Sequence, residues 1–364
     1  MKLLYITNGI NGSGGLERVL SVKASYLAEK LGYEVHILGL NNSVTDLFYE
    51  FSSKIVFHQI EVSGNPIAYL KKYVSGIKKC ANHIQPDCVI VCDDGLKGFF
   101  TPLFLGKSRP IVYERHVSKN IEMKEDSALF ATIASRLKLK LMDVLASNFD
   151  TFVVLTHENK REWKGKNVIV ISNPLSFYPE ISSTLNQKRV LVVGKQSYQK
   201  GFDLLLRAWK LIHEKQPDWT LDVYGKKDAS LGFETLADEL GIAHSIRFFD
   251  PEKNIVEKYL DSSIYILSSR FEGFGMVLIE AMACGVPCVS FNCPYGPSDI
   301  IKDNEDGYLV ENGNSEQLAE KCLILMNNDE LRMQMGRRAK ENVKRYLPGN
   351  IMKQWDELFK SIIK

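Results

Sequence analysis

Two carboxylates, Glu272 and Glu280, bracket a glycine-bearing turn within Ser268-Ser269-Arg270-Phe271-Glu272-Gly273-Phe274-Gly275-Met276-Val277-Leu278-Ile279-Glu280-Ala281-Met282-Ala283-Cys284-Gly285. A carboxylate accepts hydrogen bonds through two oxygens, so it suits a vicinal pair of hydroxyls. Between the two acids the chain enters a short helix, and the backbone N–H groups from about Phe274 to Val277 point out of its positive end. An anion-binding turn flanked by acids fits a ligand that carries both phosphate and hydroxyls, as a nucleotide sugar does. The positioning elements are legible too. Residues 263–267 read as a buried strand, and Val277, Leu278, Ala281 and Met282 recur at helical spacing and would face a core. Gly285, followed by Val286-Pro287, is a helix stop. The same pattern also suits an ordinary strand–loop–helix of an α/β protein.

A second loop with anion-binding residues is Gly194-Lys195-Gln196-Ser197-Tyr198-Gln199-Lys200-Gly201, after an expected strand at 189–193 and before a helix at 202–213. Its two lysines could clamp an anion or simply be solvated. Strands at 220–224, 245–248 and 288–291 alternate with helices at 231–240 and 254–260, and Ser298 stands where it could cap a further helix. The first half has the same rhythm. A strand at 2–8, the loop Gly9-Ile10-Asn11-Gly12-Ser13-Gly14-Gly15, a helix at 16–31 and a strand at 34–40 form a βαβ opening. The glycine spacing is not GxGxxG, so a dinucleotide reading is weak. Strands at 88–92, 110–114 and 151–155 follow. Asp93-Asp94 and His116 directly follow two of these strands, where open parallel sheets place ligands. The aspartates could equally cap a helix. They are not spaced as an Asp-x-Asp metal clasp.

The length of 364 residues suggests two α/β domains, with the polar stretch 176–187 as linker. No apolar run reaches the ~18 residues a membrane span needs. The first residues turn polar too soon for a signal peptide, so a cytoplasmic location is expected. Seven cysteines without framework spacing fit a reducing compartment. Cys284, Cys288 and Cys293 cluster in sequence but have no histidine nearby and no CxxC, so buried small hydrophobes are expected there rather than a metal site. Residues 1–175 carry 22 Lys and Arg against 17 Asp and Glu, and the remainder 24 against 27. That mild asymmetry favours a membrane surface or an anionic acceptor for the first half, and no nucleic-acid partner is expected. Residues 66–84 and 128–145 read as basic amphipathic helices; the first carries Tyr69, Leu70 and Tyr73 beside Lys71 and Lys72, the second Leu129, Ile133 and Leu137 beside Arg136 and Lys138. Such helices either lie on an anionic bilayer or pack one face on a sheet.

The run Glu-Gly-Phe-Gly-Met-Val-Leu-Ile-Glu-Ala-Met-Ala-Cys-Gly-Val-Pro, with its Glu-x7-Glu spacing, resembles the signature of retaining GT-B glycosyltransferases of family 4, the group 1 glycosyl transferases, and Cys293-Pro294-Tyr295-Gly296-Pro297-Ser298-Asp299-Ile300 resembles a version seen in bacterial polysaccharide members. The resemblance implies two Rossmann-like domains facing a cleft: 1–175 for the acceptor, 188–345 for the nucleotide sugar, and 346–364 as a helix returning to the first domain. It implies donor contacts from Gly14, Gly15, Lys195, Lys200, Glu272, Gly273, Phe274, Gly275, Met276, Val277 and Glu280. Glu280 would take the ribose hydroxyls, Glu272 the sugar or β-phosphate, and Lys200 the developing charge of the diphosphate. A histidine in the position of His116 would hydrogen-bond the transferred sugar, making His116, Glu272 and Lys200 the catalytic set. Lys195 departs from the usual arginine and loses its bidentate fork. The implied reaction moves a hexose or N-acetylhexosamine, with retention, from a donor that is UDP-linked by family frequency. The acceptor would be a glycan or lipid-linked glycan in surface polysaccharide (lipopolysaccharide or capsule) synthesis, with peripheral contact at the inner leaflet. No metal or other cofactor is expected. Alternatives are a nucleotide-sugar-binding protein without transferase activity, or a nucleotide-sugar 2-epimerase, although epimerases lack the complete Glu-x7-Glu run and the Lys-Gly loop.

Overall fold

Short apolar segments separated by helices set the architecture: strands joined by crossover helices pair in parallel, because each crossover returns the chain to the same end of the sheet. The computed structural model describes residues 1–41, 44–119 and 129–363. The chain divides into two units, Met1–Ser176 with Pro348–Lys364, and Phe177–Leu347.

The first unit holds a parallel sheet of β1 (Lys2–Thr7), β2 (Glu34–Leu40), β3 (Val56–Ile60), β4 (Cys88–Cys92), β5 (Ile111–Glu114), β6 (Thr151–Val154) and β7 (Val168–Val170), in the order β3-β2-β1-β4-β5-β6-β7. Tyr73 and Ile77 of helix Pro66–Ile84, with Met142 and Leu145 of helix Leu129–Ala146, close one core with Leu4, Val91 and Tyr113 of the sheet. The last helix, Pro348–Ile362, belongs to this unit. It lies against the opening helix Gly15–Glu29, and Asp356 accepts a 2.5 Å hydrogen bond from the Tyr33 hydroxyl.

The second unit holds β8 (Arg189–Val193), β9 (Thr220–Tyr224), β10 (Ile246–Phe249), β11 (Ile264–Leu267), β12 (Cys288–Phe291) and β13 (Gly307–Val310), parallel in the order β10-β9-β8-β11-β12-β13. In both units the strand order reverses beside the first strand, at β1/β4 and at β8/β11. Loops leaving the carboxyl ends of two such strands diverge to opposite faces and leave a crevice, the usual ligand position in open parallel sheets.

Several sequence expectations need correction. Strands β3, β7 and β13 were not anticipated; each is a short edge strand, and no residue of β3 is fully buried. The stretch 176–187 is no free linker. From Phe177 it is part of the second unit, where buried Ser183 donates to Ser262 O at 2.6 Å and Leu185 O accepts from the Arg332 guanidinium. Ser298 does not cap its helix; Gly296 precedes Pro297–Ile300 and Ser298 lies inside it. Val277 is only half-buried, whereas Leu278 through Ala283 are all buried, because this short helix is enclosed on every side after its first turn. Ala128 and the side chains of Leu129 and Ile133 lie outside the described residues.

Candidate functional site

The switch point of the second unit puts the two chemistry-bearing loops side by side, since β8 feeds the loop Gly194–Gly201 and β11 feeds Ser268–Gly275. Backbone and side-chain bonds then lace them together. Arg270 N–H donates to Gln199 O at 2.8 Å, Gln199 Nε2 to Phe271 O at 3.0 Å, and Ser268 Oγ to Lys200 O at 2.9 Å. Gly201 sits at φ 60°, and a Cβ there would lie 2.1 Å from Ser268 O, so only glycine allows this approach. On the other side Gly296 (φ 122°) touches Phe274 in the same way; its Cβ would lie 1.9 Å from Phe274 O. Glu272 N–H donates to Pro294 O at 2.7 Å.

The interlock brings together two of the residues singled out in sequence. Lys200 Nζ lies 2.6 Å from Glu272 Oε1, which also accepts from Ser269 Oγ at 2.6 Å. Glu272 is buried and Lys200 partly exposed. Like charges would repel Glu272 from a phosphate. Lys200 supplies the compensation, and both groups could exchange each other for ligand atoms. Lys195 is exposed on the same loop, whose next residue, buried Gln196, is pinned to the β9 loop through Lys226 O and Asp228 N–H.

Helix Met276–Ala283 begins after Gly275, and Leu278 N–H donates to Gly275 O at 2.9 Å. Helix geometry leaves the amides of Met276 and Val277 without an intrahelical acceptor, as an anion site requires. Gly273 and Phe274 form the turn before it. Glu280 is fully buried inside the helix and accepts from the Tyr259 hydroxyl at 3.2 Å.

Arg270 was not singled out in sequence, yet it organises the loops. It makes a bidentate pair with Asp203 (2.9 and 2.7 Å), donates to Tyr198 O at 2.9 Å and stacks 4.2 Å over the Tyr198 ring. Burial pushes the Asp203 carboxyl up, but the Arg270 hydrogen bonds and charge outweigh it and lower its pKa.

The first unit holds the remaining candidates. Gly14 precedes helix Gly15–Glu29, and the Glu17 carboxylate folds back on this loop; a Cβ at Gly12 or Gly14 would lie 2.6 Å from it. An acid therefore already faces the glycines. Asp93 does not cap a helix. Its carboxylate accepts from Asn8 Nδ2 and Gly95 N–H, both at 2.8 Å, and turns the chain beyond β4. His116 follows β5, its backbone N–H donating to Asp94 Oδ1 at 3.2 Å and its Nε2 lying 3.3 Å from Glu114 Oε1. Glu114 and Lys23 are both buried, and Lys23 Nζ lies 2.5 Å from each carboxylate oxygen. Cys92, Glu114 and His116 offer ligand atoms within 4.8 Å of one another, but Lys23 already supplies the positive charge there. Cys284, Cys288 and Cys293 are buried free thiols; burial pushes Cys284 up to about 12.

Two parallel-sheet Rossmann-like units are the ingredients of the GT-B architecture. Residues 178–342 match the family model described as glycosyl transferases group 1. The chain belongs to that family, since it is 30% identical over 362 residues to an uncharacterized glycosyltransferase of Haemophilus influenzae, covering 97% of this chain and 98% of the relative. It is equally 30% identical over 374 residues to the amylovoran biosynthesis glycosyltransferase AmsD of Erwinia amylovora, covering 98% and 99%. Among solved structures, HepE of Anabaena in complex with UDP-glucose superposes with a TM-score of 0.80 at 18% identity, covering 99% of this chain and all of that one.

Proposed function

We propose that the protein transfers a hexose or N-acetylhexosamine, with retention of anomeric configuration, from a UDP-sugar to a glycan or lipid-linked glycan acceptor in surface polysaccharide synthesis. The observation that carries the reading is the Lys200–Glu272 pair at the β8/β11 switch point, beside the start of helix Met276–Ala283. Lys200, Lys195 and the amides of Met276 and Val277 would hold the donor diphosphate and take up the charge that develops as the glycosidic bond breaks. Glu280 would accept from the ribose hydroxyls, exchanging its present partners for them. Glu272 would turn to the sugar hydroxyls once Lys200 engages phosphate, and His116 would orient the transferred sugar. The acceptor hydroxyl would attack from the leaving-group face, with the departing phosphate taking its proton.

A UDP-linked donor agrees with the ligand of HepE, and a polysaccharide product with the role of AmsD. We read the transfer as metal-independent, because lysines and helix amides stand where a cation would otherwise neutralise the diphosphate. Among the described residues no helix is long and apolar enough to cross a membrane. The outward faces of helices Pro66–Ile84 and Leu129–Ala146 expose Ile67 and Leu70, and Leu137, Leu141 and Val144, among lysines. That composition suits a cytoplasmic enzyme resting on an anionic leaflet.

The test is a transfer assay with a panel of UDP-hexoses and UDP-N-acetylhexosamines in EDTA, offered with lipid-linked and free glycan acceptors. Product anomers would be read by proton NMR. Transfer from one donor with its α configuration kept is the expected result. An inverted product, activity only after adding Mg²⁺ or Mn²⁺, or C2 epimerisation of the donor without acceptor would each refute the corresponding part.

A further inference from the structure

The sequence places His116 after a strand but gives no reason for the two residues before it. In the structure Glu114, the last residue of β5, is buried under the opening helix, 2.5 Å from Lys23 Nζ through both oxygens. Lys23 is buried as well, with its ammonium 3.7 Å from the Trp355 ring centroid of the last helix and 5.8 Å from that of Tyr5. Cys92 Sγ lies 3.5 Å from the same carboxylate. Such a pair is a costly thing to bury, and removing one partner would leave an uncompensated charge. Beside it stands the His116 imidazole. Its Nε2 is buried and has no aligned hydrogen bond, with Glu114 Oε1 at 3.3 Å as the adjoining acceptor.

We infer that Glu114 is a positioning residue for His116: clamped by Lys23, its carboxylate accepts the Nε2 proton and so fixes the imidazole as the tautomer with an unprotonated Nδ1. A hydrogen bond to one ring nitrogen decides which nitrogen carries the proton and which way the ring faces. The other charged groups near this loop are consistent with that division of labour. Arg115 turns away from the Glu114 carboxylate, donating from Nη1 to Asp94 O at 2.6 Å and from Nε to Val117 O at 3.1 Å, while the Asp94 carboxylate pairs with Arg115 Nη1 at 3.5 Å and accepts from the backbone N–H of His116. Through Trp355, the last helix of the chain is in contact with the same assembly.

The catalytic consequence rests on the reading of His116 as a sugar-orienting group; the tautomer does not, and the two are tested separately. The full-length protein would carry ¹⁵N-labelled histidine and be observed by long-range ¹H–¹⁵N NMR at about pH 8, where an ordinary imidazole is neutral, with His116→Ala assigning the signal. The variants are Lys23→Met with Glu114→Leu, which removes both charges and the acceptor together, and Lys23→Met with Glu114→Gln, which keeps an acceptor. The wild type and the glutamine variant are expected to show Nε2–H alone, and the leucine variant a mixture. Turnover of the leucine variant should fall by about 10–100-fold, the scale for losing the partner that orients an imidazole, with donor KM little changed and the glutamine variant retaining most of its rate. An Nδ1–H or doubly protonated wild-type ring, or an unchanged tautomer in the leucine variant, would overturn the inference. A changed tautomer with unchanged turnover would uphold it and count instead against His116 at the sugar.

Discussion

In the second unit the charges at the switch point stand at the rim of two loops: Lys200 and Lys195 are partly or fully exposed, and Glu272 lies just beneath. In the first unit the end of β5 carries its charge inside, with Glu114 paired to Lys23 of the opening helix and both buried, the ammonium against Trp355 of the closing helix. The topology is shared, but the electrostatics are opposite. Rim charges can trade a protein partner for a ligand at little desolvation cost, whereas an ion pair buried on both sides, such as Lys23–Glu114, is costly to part. On the proposed reading, the second unit would exchange its lysines' partners for a ligand, and the first would fix the geometry around His116.

That contrast breaks most visibly at Lys23. Lys23→Met alone leaves Glu114 buried without its cation and should cost about 3–5 kcal/mol of stability in urea unfolding, most of it recovered by adding Glu114→Gln. A cost under about 1 kcal/mol would mean that the pair is effectively solvated. The same pair sets an acid limit. Burial pushes the Glu114 carboxyl up, but Lys23 and then His116 outweigh it and hold it at about 2, below the ~4.3 of an unfolded glutamate. Its contribution is therefore complete above pH ~4.3 and lost as pH falls from there toward 2. The melting temperature of the wild type should drop more steeply over that window than that of the double variant.

Lys200→Ala should remove about 2–4 kcal/mol of transition-state stabilisation, seen in kcat. Turnover within a few-fold of wild type would move the phosphate clamp elsewhere. The smallest effect is expected at Lys195, where Lys195→Arg adds a planar fork and should tighten UDP-sugar binding by roughly two- to fivefold. Weaker binding would show that the loop has adapted to the point charge.

The second unit was the more legible in sequence because its site is local. Lys195 to Gly201 and Glu272 to Glu280 are each carried by one strand–loop–helix, and the switch point needs only strand order to bring them together. The Arg270–Asp203 link across 67 residues was not legible, since neither residue has a periodicity or spacing that marks the other. In the first unit Lys23 and Glu114 lie 91 residues apart, and Lys23 reads as one more polar residue on an amphipathic helix. Only the sheet order, with β1 between β2 and β4, and the return of the last helix make its neighbourhood apolar. The missed strands β3, β7 and β13 are edge strands of five, three and four residues, too brief for an alternation or a long apolar run to show.

The central claim is that the acids and lysines at β8/β11 hold a nucleotide sugar, and calorimetric titration of UDP into wild type and Glu280→Gln, in EDTA, tests it most directly. Wild type should bind, and the variant should lose about 1.5–3 kcal/mol of binding, the worth of hydrogen bonds from hydroxyls to a carboxylate, without a change in melting temperature of the free protein large enough to signal misfolding. Equal affinity of the two proteins for UDP, or no binding by the wild type without a divalent metal, would contradict the account.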